Sequence, residues 1–175
     1  SLVHPKKALQ LSYALFIFFW IGKIPEDKLP EILKNTVKDT FQHNEHHFQT
    51  YIWEGNDTKI LLVHGWESNS ARWEKTLPYL QKSGSTIIAL DAPAHGKSSG
   101  KEFNVPRYAE FINKAVKKYN PSVIIGHSIG GAACIYHQYL HPESSIEKMI
   151  AAKTAPVIAK KVARNINSAA RMLRR

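Results

Sequence analysis

SVIIGHSIGGAA, residues 122–133, decides how this chain folds. Val123, Ile124 and Ile125 form an unbroken apolar run, the composition of a strand buried on both faces of a sheet. Gly126 and Gly130 then stand two residues either side of Ser128, which leaves room for a tight turn. Gly131, Ala132 and Ala133 are small enough for a following helix, Ile129 to Leu140, to lie close against the strand. The whole is G-x-S-x-G in a strand–turn–helix setting. A serine on such a turn is held in strained backbone geometry, with its hydroxyl exposed above the sheet. The N–H of Ile129, at the start of the helix, is then an oxyanion donor helped by the helix dipole.

Working outward, the same alternation recurs. Ile60–Val63 (ILLV) and Thr86–Leu90 (TIIAL) are two further buried strands, and Lys148 to about Ala152 a fourth. Helices are expected from about Ala71 to Lys82, with Gly84 as the C-terminal signal, and from Arg107 to Tyr119. Upstream, Phe48, Thr50 and Ile52 alternate with Gln49, Tyr51 and Trp53 before the turn residues Gly55-Asn56-Asp57, which reads as a strand ending in a hairpin. A short helical stretch is expected over Glu31 to Lys38. Buried strands alternating with helices give an α/β fold: a mostly parallel sheet covered by helices on both faces, with right-handed crossovers.

In such sheets chemistry sits at the carboxyl ends of the strands. Three loops lie there. His64-Gly65-Trp66 follows the first buried strand; glycine lets the backbone turn and approach a ligand, and the N–H after it is placed to act as an oxyanion donor. Asp91-Ala92-Pro93-Ala94-His95-Gly96-Lys97-Ser98 follows the second, and its Asp91 is expected to bond local backbone N–H groups. Gly126–Gly130 is the third.

On these residues the stretch from Phe41 to Pro156 resembles the α/β-hydrolase superfamily. Within it the resemblance is to esterase and lipase-like enzymes carrying H-G-x, D-x-x-x-H-G-x-S and G-H-S-x-G-G. The resemblance implies a serine hydrolase of carboxylic esters or related small-molecule acyl compounds, without cofactor or metal. Ser128 is its nucleophile, and the backbone N–H groups of Trp66 and Ile129 form its oxyanion hole. Relatives with an aspartate nucleophile, such as haloalkane dehalogenases, fit poorly because position 128 is serine. The triad of that superfamily runs Ser, then Asp or Glu, then His, so Asp91 and His95 come too early. After Ser128 the chain offers only His137, His141, Glu143 and Glu147, none of them expected to complete a triad. The 175 residues are therefore expected to be a C-terminally incomplete unit, nearly inactive alone. A non-catalytic binding protein or a lipid-surface protein on the same scaffold is the alternative.

Three regions follow from these readings: an N-terminal apolar and helical segment (1–38), a partial α/β-hydrolase core (39–155) and a basic amphipathic helix (156–175) read as the start of a lid. The net charge of +10 belongs largely to the last region and the residues before it, since no acid follows Glu147. No basic strand interleaved with aromatics accompanies it, so a nucleic-acid partner is not expected. Leu11 to Ile21 is strongly apolar but shorter than the roughly 20 residues that span a bilayer. A single cysteine, Cys134, fits a cytoplasmic protein, with membrane association or export through residues 11–21 as the alternative. Cys134 reads as a small core residue, Trp53, Trp66 and Trp73 as packing residues, and His43, His46 and His47 as a strand or hairpin cluster unsuited to one metal ion. Oligomeric state is left open.

Overall fold

The three apolar runs become the adjacent central strands of one six-stranded sheet. The computed structural model describes residues 22–25 and 27–154; the apolar stretch 11–21 and the basic tail 156–175 fall outside them. The strands are β1 (Val37–His43), β2 (His46–Trp53), β3 (Asn56–Val63), β4 (Ser85–Leu90), β5 (Val123–His127) and β6 (Lys148–Ala152), in the order β1-β2-β4-β3-β5-β6. β4, β3, β5 and β6 are parallel, and β2 and β1 run antiparallel at one side.

Side chains alternate across a strand, and here both faces are apolar. Leu61 and Val63 of β3, Ile88 and Leu90 of β4, and Ile124 of β5 enter one core. Ile60 and Leu62, Ile87 and Ala89, and Ile125 enter the other. Helices cover each side. Let α1 be Glu31–Lys34, α2 Leu77–Gln81, α3 Val105–Tyr119 and α4 Ile129–Leu140. α3 and α4 contribute Phe111, Ile112, Ala115, Val116, Ala133 and Cys134 to the first core, which also takes Phe48 from β2. Leu77 of α2 and Trp73 of a 3-10 turn (Ser70–Trp73) cover the second, and Leu33 of α1 packs beside Tyr51. Cys134 is fully buried, as expected of a core residue, and burial pushes its thiol pKa up. No helix among the described residues is long and apolar enough to cross a membrane.

Three local expectations are corrected. The hairpin turn is Asn44-Glu45, between β1 and β2, with Asn44 left-handed (φ 54°). Residues 56 and 57 instead open β3, and β4 lies between β2 and β3: a strand apolar on both faces takes the protected interior position and leaves the polar β1 at the edge. The helix expected over residues 31–38 stops at Lys34, and Val37 already belongs to β1. The helix expected over 71–82 is two pieces, because Pro78 has no N–H to donate and fits only a first turn, where α2 starts afresh. α3 begins two residues before the expected Arg107, where the Asn104 side chain accepts the Arg107 N–H at 2.8 Å as an N-cap.

Phe48 is fully buried and stacks on Phe111 with ring centroids 4.4 Å apart. Phe48→Ala should lower unfolding free energy by about 3–5 kcal/mol in urea titration. Tyr79→Ala, at a residue 72% exposed, should change it by less than about 0.5 kcal/mol.

Candidate active site

Ser128 occupies the corner between β5 and α4 with φ 54° and ψ −124°, a conformation that side-chain-bearing residues adopt only when held. Its N–H donates to Ala152 O (2.9 Å), and its carbonyl accepts from Gly131 N (3.0 Å) and from Thr154 Oγ1 (3.0 Å). Small residues bring the neighbouring strand end close. A Cβ on Gly130 would lie 2.6 Å from Val63 O and also strike His64 O, so α4 begins directly against the end of β3. A Cβ on Gly65 would lie 3.0 Å from both Ser128 Cβ and His127 O. The loop His64-Gly65-Trp66 is thereby brought beside Ser128. Ile129, the next residue, is the first of α4, so its N–H is one of those that helix geometry leaves without an intrahelical acceptor.

The histidine before Gly65 turns out to be a pin. His64 is fully buried; its Nε2 accepts the Ala92 N–H (2.9 Å), so Nδ1 carries the proton and donates to Gly65 O (2.7 Å). Tyr108 donates to its carbonyl at 3.2 Å. Burial above all, with the nearby His95 adding to it, holds the His64 pKa down at about 3. Asp91, also fully buried, is a second pin. Its Oδ1 accepts from Ser70 N (2.9 Å) and Ser70 Oγ (2.7 Å), and its Oδ2 from Lys97 N (2.9 Å). Burial raises its pKa, and the bonds from Lys97 and Ser70 oppose that. The structural role expected for Asp91 is thus the one observed. His95 pairs through Nδ1 with Pro93 O (2.8 Å), and its ring meets Trp66 and Phe103 edge-on at 5.8 and 5.1 Å. Trp66 also packs edge-to-face on Phe103 at 4.9 Å, so its indole is a packing group.

The four later candidates stay away from the serine. His137 is buried on α4, nine residues past Ser128 and about 13 Å along the helix axis. His141 caps that helix and lies 3.7 Å from Glu143. Glu147 donates its N–H to Ser122 O, at the opposite end of β5. Elsewhere His43 lies 3.5 Å from Glu110, and His46 approaches Ser99 Oγ at 3.4 Å. Among the described residues no three His, Cys, Asp or Glu side chains converge as a metal site. Thr154 and Ser70 were not singled out in the sequence. Thr154 was within reach: parallel register pairs His127 with Ala152, which sets Thr154 next to the serine turn.

In comparison with known proteins, the family model described as alpha/beta hydrolase fold matches residues 59–168. A probable serine hydrolase of Drosophila melanogaster is 31% identical over 107 residues, 56% of this chain and 32% of the relative. Putative methylesterase 15 (chloroplastic) of Arabidopsis thaliana is 32% identical over 104 residues, 55% of this chain and 23% of the relative. The chain therefore spans less than a third of the length of these two relatives. Among solved structures, a predicted CIB-like hydrolase from Thermoplasma acidophilum matches with TM-score 0.57 at 25% identity, covering 66% of this chain and 61% of that one.

His64 and His137 are buried neutral, with pKa values held down at about 3 and about 4, chiefly by burial. Unfolded, each titrates near 6.5. The unfolded chain therefore gains protons first, and stability is lost as pH falls below about 6.5. Asp91, raised by burial, works in the opposite sense and softens the slope. Between pH 7 and 5 each ring should contribute a loss of about 2 kcal/mol, read by urea denaturation at both pH values. His137→Leu should remove about 2 kcal/mol of the loss; a pH-independent midpoint would show that the rings are not buried neutral.

Proposed function

The chain belongs to the alpha/beta hydrolase fold family, and from that premise we propose that the full-length protein is a serine hydrolase of carboxylic esters or related acyl compounds. The observation that carries this reading is the left-handed Ser128 at the strand–helix corner, with the Gly65 backbone packed against its Cβ. The names of the Drosophila and Arabidopsis relatives, a probable serine hydrolase and a putative methylesterase, support it.

In this reading the Ser128 hydroxyl attacks the ester carbonyl carbon while its proton passes to a general base. The oxygen of the tetrahedral intermediate takes the negative charge, and the N–H groups of Trp66 and Ile129 stabilise it, the latter with the dipole of α4 behind it. Collapse expels the alcohol with a proton and leaves an acyl-serine. Water then attacks that acyl carbon, and the carboxylic acid departs as the serine regains its proton. Base and orienting acid belong, in this proposal, to a part of the protein outside the described residues. His64 does not serve as base, because both its nitrogens are already bonded inside the fold. Without a base the 175-residue chain should show only the small residual rate that an oxyanion hole and binding provide.

A second reading, a non-catalytic binding protein on this scaffold, is favoured by one observation: His137, His141, Glu143 and Glu147 all lie away from Ser128. Fluorophosphonate labelling read by intact mass separates the two. The full-length protein should gain one label that Ser128→Ala abolishes, and the same substitution should lower ester hydrolysis by about 10³-fold or more. Labelling or hydrolysis that survives Ser128→Ala would sink the catalytic reading.

A further inference from the structure

A cleft of about 590 Å³ lies along the segment that leaves β4, and three stretches of chain line it: residues 23–25, His47 and residues 96–99. The last of these is bonded to both of the others. On one side Gly96 N donates to Gly22 O (2.8 Å) and Ile24 N to Gly96 O (3.1 Å). On the other, Ser99 N donates to His47 O (2.8 Å) and His47 N to Ser99 Oγ (2.9 Å). Lys97 N and Ser98 Oγ both donate to the buried Asp91, at 2.9 and 2.8 Å. Backbone bonds therefore fix the walls of the cleft.

Two lysines cross the seam between the first and last stretches in opposite directions. Lys23 Nζ donates to Ser98 O (2.5 Å), and Lys97 Nζ donates to Pro25 O (2.8 Å). Both acceptors belong to lining residues, so both ammonium groups lie at the wall of the cleft. An ammonium has three N–H donors, and each carbonyl takes one. Among the described residues no carboxylate pairs with either lysine or lines the cleft. The acid felt at Lys23 is Asp91, whose oxygens are already bonded to Ser70 and to Lys97 N. Burial lowers the Lys23 pKa, as expected of an ammonium partly stripped of water. Two like charges held at one wall with neutral carbonyls as partners gain from a shared counter-ion. Ile24 and Pro25 give the same cleft an apolar side.

We infer that Lys23 and Lys97 form a binding site for a phosphate monoester, its dianionic head on the two ammonium groups and its organic body against Ile24 and Pro25. A dianion draws on both cations, whereas a carboxylate brings a single charge, and lysine serves phosphate as a point charge. The cleft has room for more than the head, since pockets for small organic molecules run to roughly 300–1,000 Å³. The site does not depend on Ser128 being a nucleophile.

The test is calorimetric titration of the full-length protein with phenyl phosphate at about pH 8, where the ester is a dianion, and with benzoate as the singly charged comparison. Phenyl phosphate should bind saturably with Kd at or below about 1 mM. It should bind about fivefold or more tighter than benzoate, since one charge pair at about 4 Å is worth about fivefold even in bulk water. Lys23→Gln and Lys97→Gln should each weaken it by about fivefold or more, and glutamine still offers an N–H to the carbonyl. Lys97→Arg, which keeps the charge, should preserve binding, and so should Lys82→Gln, an exposed lysine at the opposite end of β4. About 0.5 M salt should weaken binding by screening. Absence of saturable binding would overturn the inference, as would benzoate binding equal to phenyl phosphate or an affinity unchanged in both glutamine variants. Binding lost in Ser128→Ala would place the ligand at the serine corner and overturn it too.

Discussion

A side-chain-bearing residue at φ 54° stays there only if its surroundings over-determine it, and at Ser128 they do. The conformation costs on the order of 1–3 kcal/mol. Against it stand four hydrogen bonds that fix the peptide groups on both sides of the residue, two of them from the β6 side at Ala152 and Thr154. The remaining constraint is steric. α4 begins so close to the end of β3 that only glycine fits at position 130, and the Gly65 backbone closes the opposite side. β3, β5, β6 and α4 thus meet at one residue.

A second set of constraints ties the loops to one another rather than to the serine. Asp91 and His64 are fully buried polar groups, and such groups are costly unless bonded. Each spans two loops: Asp91 joins the turn at Ser70 to the segment at Lys97, and His64 joins Gly65 to Ala92. Ser98 extends the stitching to the antiparallel side, donating to Asp91 O (2.8 Å) and accepting from Gln49 N (3.0 Å). Low dielectric strengthens these bonds, and the same low dielectric keeps the imidazole neutral. Rigidity of the loops beside Ser128 therefore comes from buried polar groups, while the apolar cores position the strands.

This division explains what was legible in the sequence. Val123–Ile125, Ile60–Val63 and Thr86–Leu90 announced themselves because a strand covered on both faces has no polar face to confuse its reading. β1 did not, since an edge strand with exposed Val37 and Lys38 has the composition of a loop or a helix end. The order of β4 between β2 and β3 was hidden because chain adjacency suggests pairing, whereas burial decided it. At the site, Ser128, Trp66 and Ile129 were named by pattern. Thr154 and Ser70 were not, because Thr154 acts through one hydroxyl placed by strand register and Ser70 through the N–H and hydroxyl of a turn residue, and neither leaves a periodic trace.

The same sorting bears on which groups have chemistry left to do. His64 and Asp91 look catalytic by type and by their position at strand ends, yet their bonding capacity is taken up within the fold. A buried ionisable group that is fully bonded gains nothing by releasing its partners to a substrate, because each released group would then be desolvated and unpaired.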